Sequence, residues 1–206
     1  MINNIILFFF ISFSVLSQQQ IDIPVELFKE ITSSKIEDEY LGSVYVFEDY
    51  NEGQIIFQEE KIPLKLNINA YSNLFTYIDN FGNKYELKPN LSLKVLIGNK
   101  KYNYLKIEGR DIITTPISRL NDNILFKSFY TKITPPRSSS NGYDLPKPGK
   151  IEIKTSYIFF INDKYYFVKK NKKSVINAFP AYKELIKKSK LRFKDEEDFL
   201  EFLNLL

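Results

Sequence analysis

The sequence predicts a mainly β (α+β) protein in which a curved or barrel-like antiparallel sheet packs against two short C-terminal helices. Short runs rich in Tyr, Phe, Ile and Val recur between turn residues from Gly42 to about Lys132, as in a meander of hairpins. Residues 62–68 alternate apolar and polar side chains, which is the period of a half-buried strand. Helical spacing of apolar residues begins only after residue 174. The 44% hydrophobic and 16% aromatic content is sufficient for the core of one domain.

The first residues are typical of a cleaved signal peptide. Ile5 to Val15 is an almost unbroken apolar run, shorter than the roughly 20 residues needed to cross a bilayer. It matches the apolar region of a secretory signal with cleavage after Ser17, although the α-amino group is the only positive charge before it. A buried N-terminal strand and a retained anchor helix are the alternatives. We expect a signal peptide at 1–17 and a single exported, β-rich domain at 18–206, periplasmic or associated with the outer membrane.

The chain contains no Cys. A lipoprotein signal needs a Cys at its cleavage site to carry the lipid, so we expect no anchor of that kind. Disulfides, which an exported protein could use, are excluded as well. No segment after Ser17 approaches transmembrane length, so we expect no transmembrane segment after signal cleavage.

The predicted strands of the first two thirds of the chain are separated by turn residues. They lie at 44–47, 54–57, 62–68, 74–78, 84–87, 91–97, 101–107 and 124–133. Turns are predicted at 51–53 and 79–83, and Gly98-Asn99 predicts a tight hairpin because both residues tolerate positive φ.

The composition changes sharply at 134–149, where Pro, Ser, Asn and Gly predominate. Proline removes ladder donors and the polar stretch has little to bury, so we expect a flexible loop. Strands resume at 151–161 and 164–168, on either side of the two-residue hairpin signal Asn162-Asp163.

The segment 174–206 is predicted to be helical. Ser174 is the expected cap of a first helix that extends past Pro180 to Ile186, with the proline in a tolerated first-turn position. Asp195 opens a second helix, whose acidic first turn complements the helix dipole. Its buried face is expected to comprise Phe199, Leu200, Phe202, Leu203 and Leu206.

Four loose motifs accompany this order of elements. The first predicted strand begins Gly42-Ser43-Val44-Tyr45, and residues 62–68 read Ile-Pro-Leu-Lys-Leu-Asn-Ile. The pair Tyr165-Tyr166 precedes a basic helical tail, and 196–200 forms an acidic-apolar close. In these features the chain resembles an uncharacterised family of exported periplasmic or envelope proteins common in the Bacteroidota. The resemblance implies an envelope location and brings no established activity.

Histidine is absent as well as cysteine. Ser-His-Asp and Cys-His catalysis, zinc sites built on His or Cys, and a histidine pH switch are therefore excluded. The dense carboxylate clusters are Glu59-Glu60 and 195–198, and helix capping explains the second. A calcium loop at 79–83 lacks the EF-hand spacing, so a hairpin turn is the simpler interpretation. We expect no catalytic site, metal or cofactor.

The densest chemical feature is a basic tail in which Glu184 is the only nearby acid. It could contact an anionic surface such as lipid headgroups, at about 1 kcal/mol per charge near the membrane. The alternative is a solvated helix face in a Lys-rich composition, since the formal net charge is only +4. The candidate contact residues are Lys169, Lys170, Lys172, Lys173, Lys187, Lys188, Lys190 and Arg192.

Aromatic residues on the predicted strands could line a ligand cavity, although core packing explains them equally well. These are Tyr71, Tyr77, Tyr85, Tyr102, Tyr104 and Tyr130. The predicted function is that of a non-enzymatic envelope accessory or interaction protein that docks on another envelope protein or on the membrane surface. The alternative is a periplasmic carrier of a lipid or other apolar ligand, and an enzyme ranks third. Nucleic acid is not an expected partner of an exported protein.

Overall fold

A computed structural model describes residues 27–30, 40–137 and 147–206. The predicted signal peptide at 1–17 and the centre of the predicted loop at 134–149 lie outside these ranges. The described chain is mainly β, with a curled half-barrel sheet and three short helices near the C-terminus, which confirms the predicted fold class. The strands are β1 (Phe28–Glu30), β2 (Tyr40–Leu41), β3 (Asn51–Phe57), β4 (Glu60–Asn69), β5 (Leu74–Ile78), β6 (Lys84–Leu87), β7 (Lys94–Ile97), β8 (Lys100–Ile107), β9 (Arg110–Leu120), β10 (Asn123–Thr134), β11 (Gly149–Ile161) and β12 (Lys164–Lys169).

The strand order across the sheet is β1-β6-β5-β4-β3-β7-β8-β9-β10-β11-β12, and β2 pairs with the start of β11. Neighbouring strands are antiparallel apart from the β2–β11 pair. The predicted hairpins at Gly98-Asn99 and Asn162-Asp163 are confirmed, since Ile97 pairs with Lys100 and Ile161 pairs with Lys164.

Side-chain hydrogen bonds join strands that are distant in this order. The Oη of Tyr104 on β8 accepts a hydrogen bond from the backbone N–H of Phe75 on β5, with 3.3 Å between the oxygen and the nitrogen. Asn73, between β4 and β5, accepts from the N–H of Ile113 on β9 at 3.2 Å and donates to the carbonyl of Asp111. Three strands separate β5 from β8, so these bonds form only because the sheet curls on itself.

The prediction of a strand at 44–47 is wrong. Tyr45 forms an isolated bridge with Asn69, and the side chain of Asn67 replaces the ladder beyond it. Its Oδ1 accepts from the N–H of Phe47 at 3.1 Å, and its Nδ2 donates to the carbonyl of Phe47 at 2.9 Å and to that of Asp49 at 3.2 Å. Two backbone bonds also join the segment to the end of β4, from the N–H of Val46 to the carbonyl of Ile68 and from the N–H of Ala70 to the carbonyl of Val44. The buried amide of Asn67 extends this attachment to Phe47 and Asp49.

The predicted turn at 51–53 is also wrong, because these residues open β3. Gly53 lies where a Cβ would meet the backbone oxygen of Leu96 on β7 at 2.3 Å. Close approach of two strands, and not a turn, explains this glycine. β9 is not predicted from the sequence, and its Pro116 lies at a register shift in the pairing with β10. A proline is tolerated there because the ladder is interrupted.

The predicted first helix is interrupted. It consists of α1 (Lys172–Ala178), a 3₁₀ turn (Pro180–Tyr182) and α2 (Lys183–Lys188). Pro180 takes the first position of the 3₁₀ turn, where its missing N–H costs nothing. The predicted cap is wrong, since Asn171 caps α1 by accepting from the N–H of Ser174 at 2.8 Å.

The second predicted helix is α3 (Glu196–Leu203), and Asp195 is its N-cap residue as expected. The helices cover one face of β10–β12 and bury an aromatic cluster there. Phe159 on β11 lies with its ring centroid 5.3 Å from that of Phe179 and 5.7 Å from that of Phe202. Burying one such side chain contributes about 1.5–3 kcal/mol, so this packing is what holds the helices to the sheet.

Candidate functional site

The basic tail forms one surface because Lys172 joins its two halves. Its Nζ donates to the carbonyl of Lys187 at 3.4 Å and to that of Ser189 at 3.2 Å, at the C-terminal end of α2. These carbonyls carry the negative end of the helix dipole, which favours a cation there. The start of α1 is thereby placed beside the end of α2, fifteen residues away in sequence. We call this surface, with its exposed cations at 169–173 and 187–192, the basic patch.

The eight basic residues predicted to contact an anionic surface differ in whether their side chains already have partners in the fold. Lys172 is half-buried and serves the fold, and Lys187 forms a 3.1 Å ion pair with Glu184 in the same helix. Lys169 lies over the ring of Tyr130, 5.9 Å from its centroid. The remaining residues are exposed, and among the described residues their side chains have no hydrogen-bond or ion-pair partner. They are Lys170, Lys173, Lys188, Lys190 and Arg192.

Two of the acidic residues that follow the patch in the sequence accept hydrogen bonds within the fold. Asp198 accepts from the backbone N–H groups of Arg192 and Lys194, each at 3.2 Å. Glu196 pairs with Lys127 of β10 at 2.9 Å and accepts from Tyr157 Oη at 3.4 Å. Residues 164–198 include eleven cationic residues and five acids, so the segment that carries the patch keeps a positive net charge.

One apolar residue stands out among these charges. Leu185 of α2 is 42% exposed, although Ile186 beside it is buried in the helical core. Lys188 lies three residues further along α2, on the same side of the helix, so an apolar side chain projects beside a cation. Apolar residues bordered by Lys and Arg are typical of segments that lie in a membrane interface.

The aromatic residues predicted as a possible cavity lining mostly fill the half-barrel. Tyr77, Tyr102 and Tyr104 are each at most 4% exposed. Tyr77 stacks on Tyr85 at 4.8 Å between ring centroids, and Tyr104 meets the edge of Phe75 at 5.1 Å. Burial raises the pKa of the Tyr104 phenol above its ordinary value, so it stays a neutral hydrogen-bonding group.

The other two tyrosines of that set lie outside this packed interior. Tyr71, in the turn after β4, is 52% exposed. Tyr130, on β10, lies under Lys169 beside the basic patch. The structure therefore does not bring the six tyrosines together.

The carboxylates singled out in the sequence have structural partners or stand in exposed turns. Asp79 accepts from the N–H groups of Phe81 and Asn83, from the side-chain amide of Asn83 and from Tyr85 Oη, at 2.8–3.2 Å. Partial desolvation acts to raise the pKa of Asp79, but these hydrogen bonds outweigh it, so its pKa lies below the ordinary value. Glu59 and Glu60 are exposed at the β3–β4 turn. Within the described ranges, no group of three or more carboxylates is arranged to hold a metal ion.

No sequence pattern indicates a shallow depression of about 340 Å³ that lies at one end of strands β9–β12. Its lining comes from the β9–β10 and β11–β12 turns, which are about forty residues apart in sequence and meet because β10 pairs with β11. The lining residues are Arg119, Asp122, Ile124, Phe160, Asn162 and Asp163. Apolar pockets that bind small molecules are concave and mostly enclosed, whereas this depression is open and lined chiefly by exposed polar groups.

In the part of the chain that the structure describes, no helix has the length and apolar character to cross a membrane. Compared with protein-family models, with curated proteins and with solved structures, the chain has no significant match.

Proposed function

We propose that this is a non-enzymatic interaction protein of the bacterial envelope that docks on an anionic phospholipid surface through the basic patch. The observation that carries the proposal is the contact of Lys172 with the carbonyl groups at the end of α2. That contact turns two separate basic stretches into one surface. The apolar run at 5–15 and the resemblance to exported Bacteroidota proteins support an envelope location.

The magnitude of the attraction follows from the unpaired cations. Each Lys or Arg held near an anionic membrane contributes about 1 kcal/mol, and five in the patch have no side-chain partner among the described residues. A total of about 5 kcal/mol corresponds to binding in the range of about 0.1–1 mM, which is reversible docking. Partial insertion of the exposed Leu185 would strengthen it, since each buried CH₂ contributes about 0.8 kcal/mol.

The alternative function, a carrier of an apolar ligand, is less well supported. A carrier needs an enclosed apolar space, and the interior of the described half-barrel is occupied by packed side chains. Phe75, Tyr102 and Tyr104 are each at most 2% exposed and lie edge to face with one another through Phe75. We therefore favour docking over carriage.

The proposal is tested with vesicles that contain equal parts of phosphatidylglycerol and phosphatidylcholine, compared with phosphatidylcholine alone. One variant replaces Lys170, Lys173, Lys188 and Lys190 by Gln. The control replaces four exposed lysines of β7 and β8 by Gln, so that the net charge changes equally. These control positions are Lys94, Lys100, Lys101 and Lys106.

We expect the wild-type protein to sediment with anionic vesicles only, and less so as salt is raised. The patch variant should lose at least about a hundredfold in vesicle affinity, since about 1 kcal/mol is removed at each of four positions. The control variant should keep most of its affinity. Equal losses in both variants, or equal binding to both kinds of vesicle, would contradict the proposal. Absence of vesicle binding would direct the search to an acidic protein partner.

A further inference from the structure

The outer edge of β12 is open, in that no strand of the described residues pairs with it. In the strand order β12 is the last strand, and β11 is its neighbour on one side. On its other side, the described residues provide no strand. An exposed edge strand presents unpaired N–H and C=O groups that can pair with another chain.

The register identifies which backbone groups point outward. β11 and β12 are joined by a two-residue turn, Asn162-Asp163, with both φ angles positive. The pair that flanks such a turn, Ile161 and Lys164, exchanges both of its hydrogen bonds. Alternate residues of β12 therefore face β11, and Tyr165 and Phe167 direct their N–H and C=O groups away from the sheet.

The end of the same edge is already closed by the fold. Lys169 would direct its N–H outward as well, but this group donates to Ser174 Oγ at 2.9 Å. Its carbonyl accepts from the N–H of Asn171 at 2.7 Å. The bonds confirm the outward direction of the alternate residues, and they limit the open edge to the part of β12 before Val168.

The side chains along this edge are apolar in the middle and basic at the ends. Phe167 is 41% exposed and lies on the sheet face opposite the helices, as does half-buried Tyr165. Lys164 begins the strand and Lys169 ends it, with Lys170 directly after. All three lysines are exposed, and no ion pair involves them among the described residues.

We propose that this edge binds an acidic extended segment of a partner protein, which adds a strand to the sheet beside β12. The charges favour that occupant over a second copy of the chain. Two copies paired along β12 would bring six lysines, from 164, 169 and 170, against two aspartates, from 163. A strand with an acid at each end and apolar residues between would instead form opposite-charge and aromatic–β-branched pairs across the new ladder. The edge shares Lys169 and Lys170 with the basic patch, but the strand pairing proposed here does not require docking on lipid.

The test uses a synthetic peptide with the core Glu-Thr-Val-Thr-Val-Glu. When it lies antiparallel to β12, its last acid faces Lys164 and its first acid extends past the open part of the edge, toward the side chain of Lys169. Two control peptides share its length. One replaces the acids by lysines, and the other is N-methylated at the valines, which face Phe167 and Tyr165 and would donate to β12. Affinity is measured by fluorescence anisotropy in the absence of lipid, and backbone amide exchange of Tyr165 and Phe167 is measured by NMR.

We expect the acidic peptide to bind and to slow exchange at the amides of Tyr165 and Phe167. The lysine peptide and the N-methylated peptide should each bind at least about tenfold more weakly. The double variant Lys164→Glu with Lys169→Glu should reverse the preference between the acidic and lysine peptides. The same changes at Lys100 and Lys101, on β8, should leave it unaltered.

Three results would overturn the proposal. The first is no measurable binding of the acidic peptide, and the second is protection at amides away from β12. The third is self-association of the unbound protein with protection of Tyr165 and Phe167, which would assign the edge to a second copy. Because vesicles are absent, each outcome is separate from the test of lipid docking.

Discussion

Replacing Asn67 tests how the segment before β3 is held to the sheet. Its side chain is 1% exposed and makes hydrogen bonds to four backbone groups. In Asn67→Ala, the N–H and C=O of Phe47 and the N–H of Ile68 lose their side-chain partner. Each unsatisfied buried group costs about 1–3 kcal/mol. Because water can reach the groups of the half-buried Phe47, we take the low end of this range for each of the three groups. The free energy of unfolding should therefore fall by about 3 kcal/mol.

The assay is urea unfolding followed by tyrosine fluorescence, since the chain has no Trp. Asn51→Ala is the matched control, because Asn51 is exposed and its side chain donates to one carbonyl among the described residues, that of Asp49 at 2.9 Å. It should cost less than about 1 kcal/mol. Asn67→Asp keeps the size of the side chain but places carboxylate oxygen against the carbonyl groups of Phe47 and Asp49. It should be least stable at neutral pH and recover as the carboxyl group is protonated. If Asn67→Ala and Asn51→Ala unfold at the same urea concentration, the assignment of this role to Asn67 is wrong.

Three further predictions concern the patch, the sheet and pH. Lys172→Met should lower the free energy of unfolding by about 1 kcal/mol and weaken vesicle binding more than Lys173→Met does. Lys173→Met removes the same charge from an exposed position that has no side-chain partner among the described residues. Equal effects of the two changes on urea unfolding and on vesicle binding would refute the role of Lys172. Gly53→Ala should cost about 2–3 kcal/mol in the same unfolding assay, because the added methyl group meets a backbone oxygen of β7; an unchanged midpoint would contradict this close approach. The pKa of Asp79 is lower in the folded protein than in the unfolded chain, so its carboxylate stabilises the fold. This contribution to the free energy of unfolding is fully present above about pH 4 and is lost as the pH falls through the folded-state pKa. The difference in free energy of unfolding between the wild type and Asp79→Asn should therefore shrink on acidification. A difference that does not change with pH would refute this role of the Asp79 carboxylate.

Periodicity and turn chemistry predicted most of the sheet, and the reasons for the failures are tertiary. The alternation at 62–68 and the Asn162-Asp163 turn are local signals, and both gave the observed elements. The strand prediction at 44–47 failed because a single side chain, Asn67, takes over the pairing. Gly53 was read as a turn residue because a close strand contact and a turn favour glycine equally in sequence.

The structure also explains why glycine is required at Gly42, the first residue of the motif at 42–45. Gly42 has a φ of +105°, and a Cβ there would lie 2.2 Å from the carbonyl oxygen of Ile151. No other residue type fits that position without movement of the strand, which no local pattern could reveal.

The candidate site was predictable in composition but not in geometry. The eight basic residues were found from their density in the sequence. That Lys172 belongs to the fold, and that Lys187 is paired, depends on the carbonyl groups of α2 and on Glu184. The open edge of β12 depends on strand order, which a chain read residue by residue does not contain.

The most direct measurement of lipid docking follows a fluorophore on the patch itself. The chain has no native Cys, so one introduced cysteine is labelled uniquely. An environment-sensitive dye is placed at Leu185→Cys in the patch and, as the control, at Leu91→Cys in the β6–β7 connection, where the native leucine is 56% exposed. We predict a blue shift at position 185 on addition of anionic vesicles and none at position 91. A shift at both positions, or at 91 alone, would contradict docking through the basic patch.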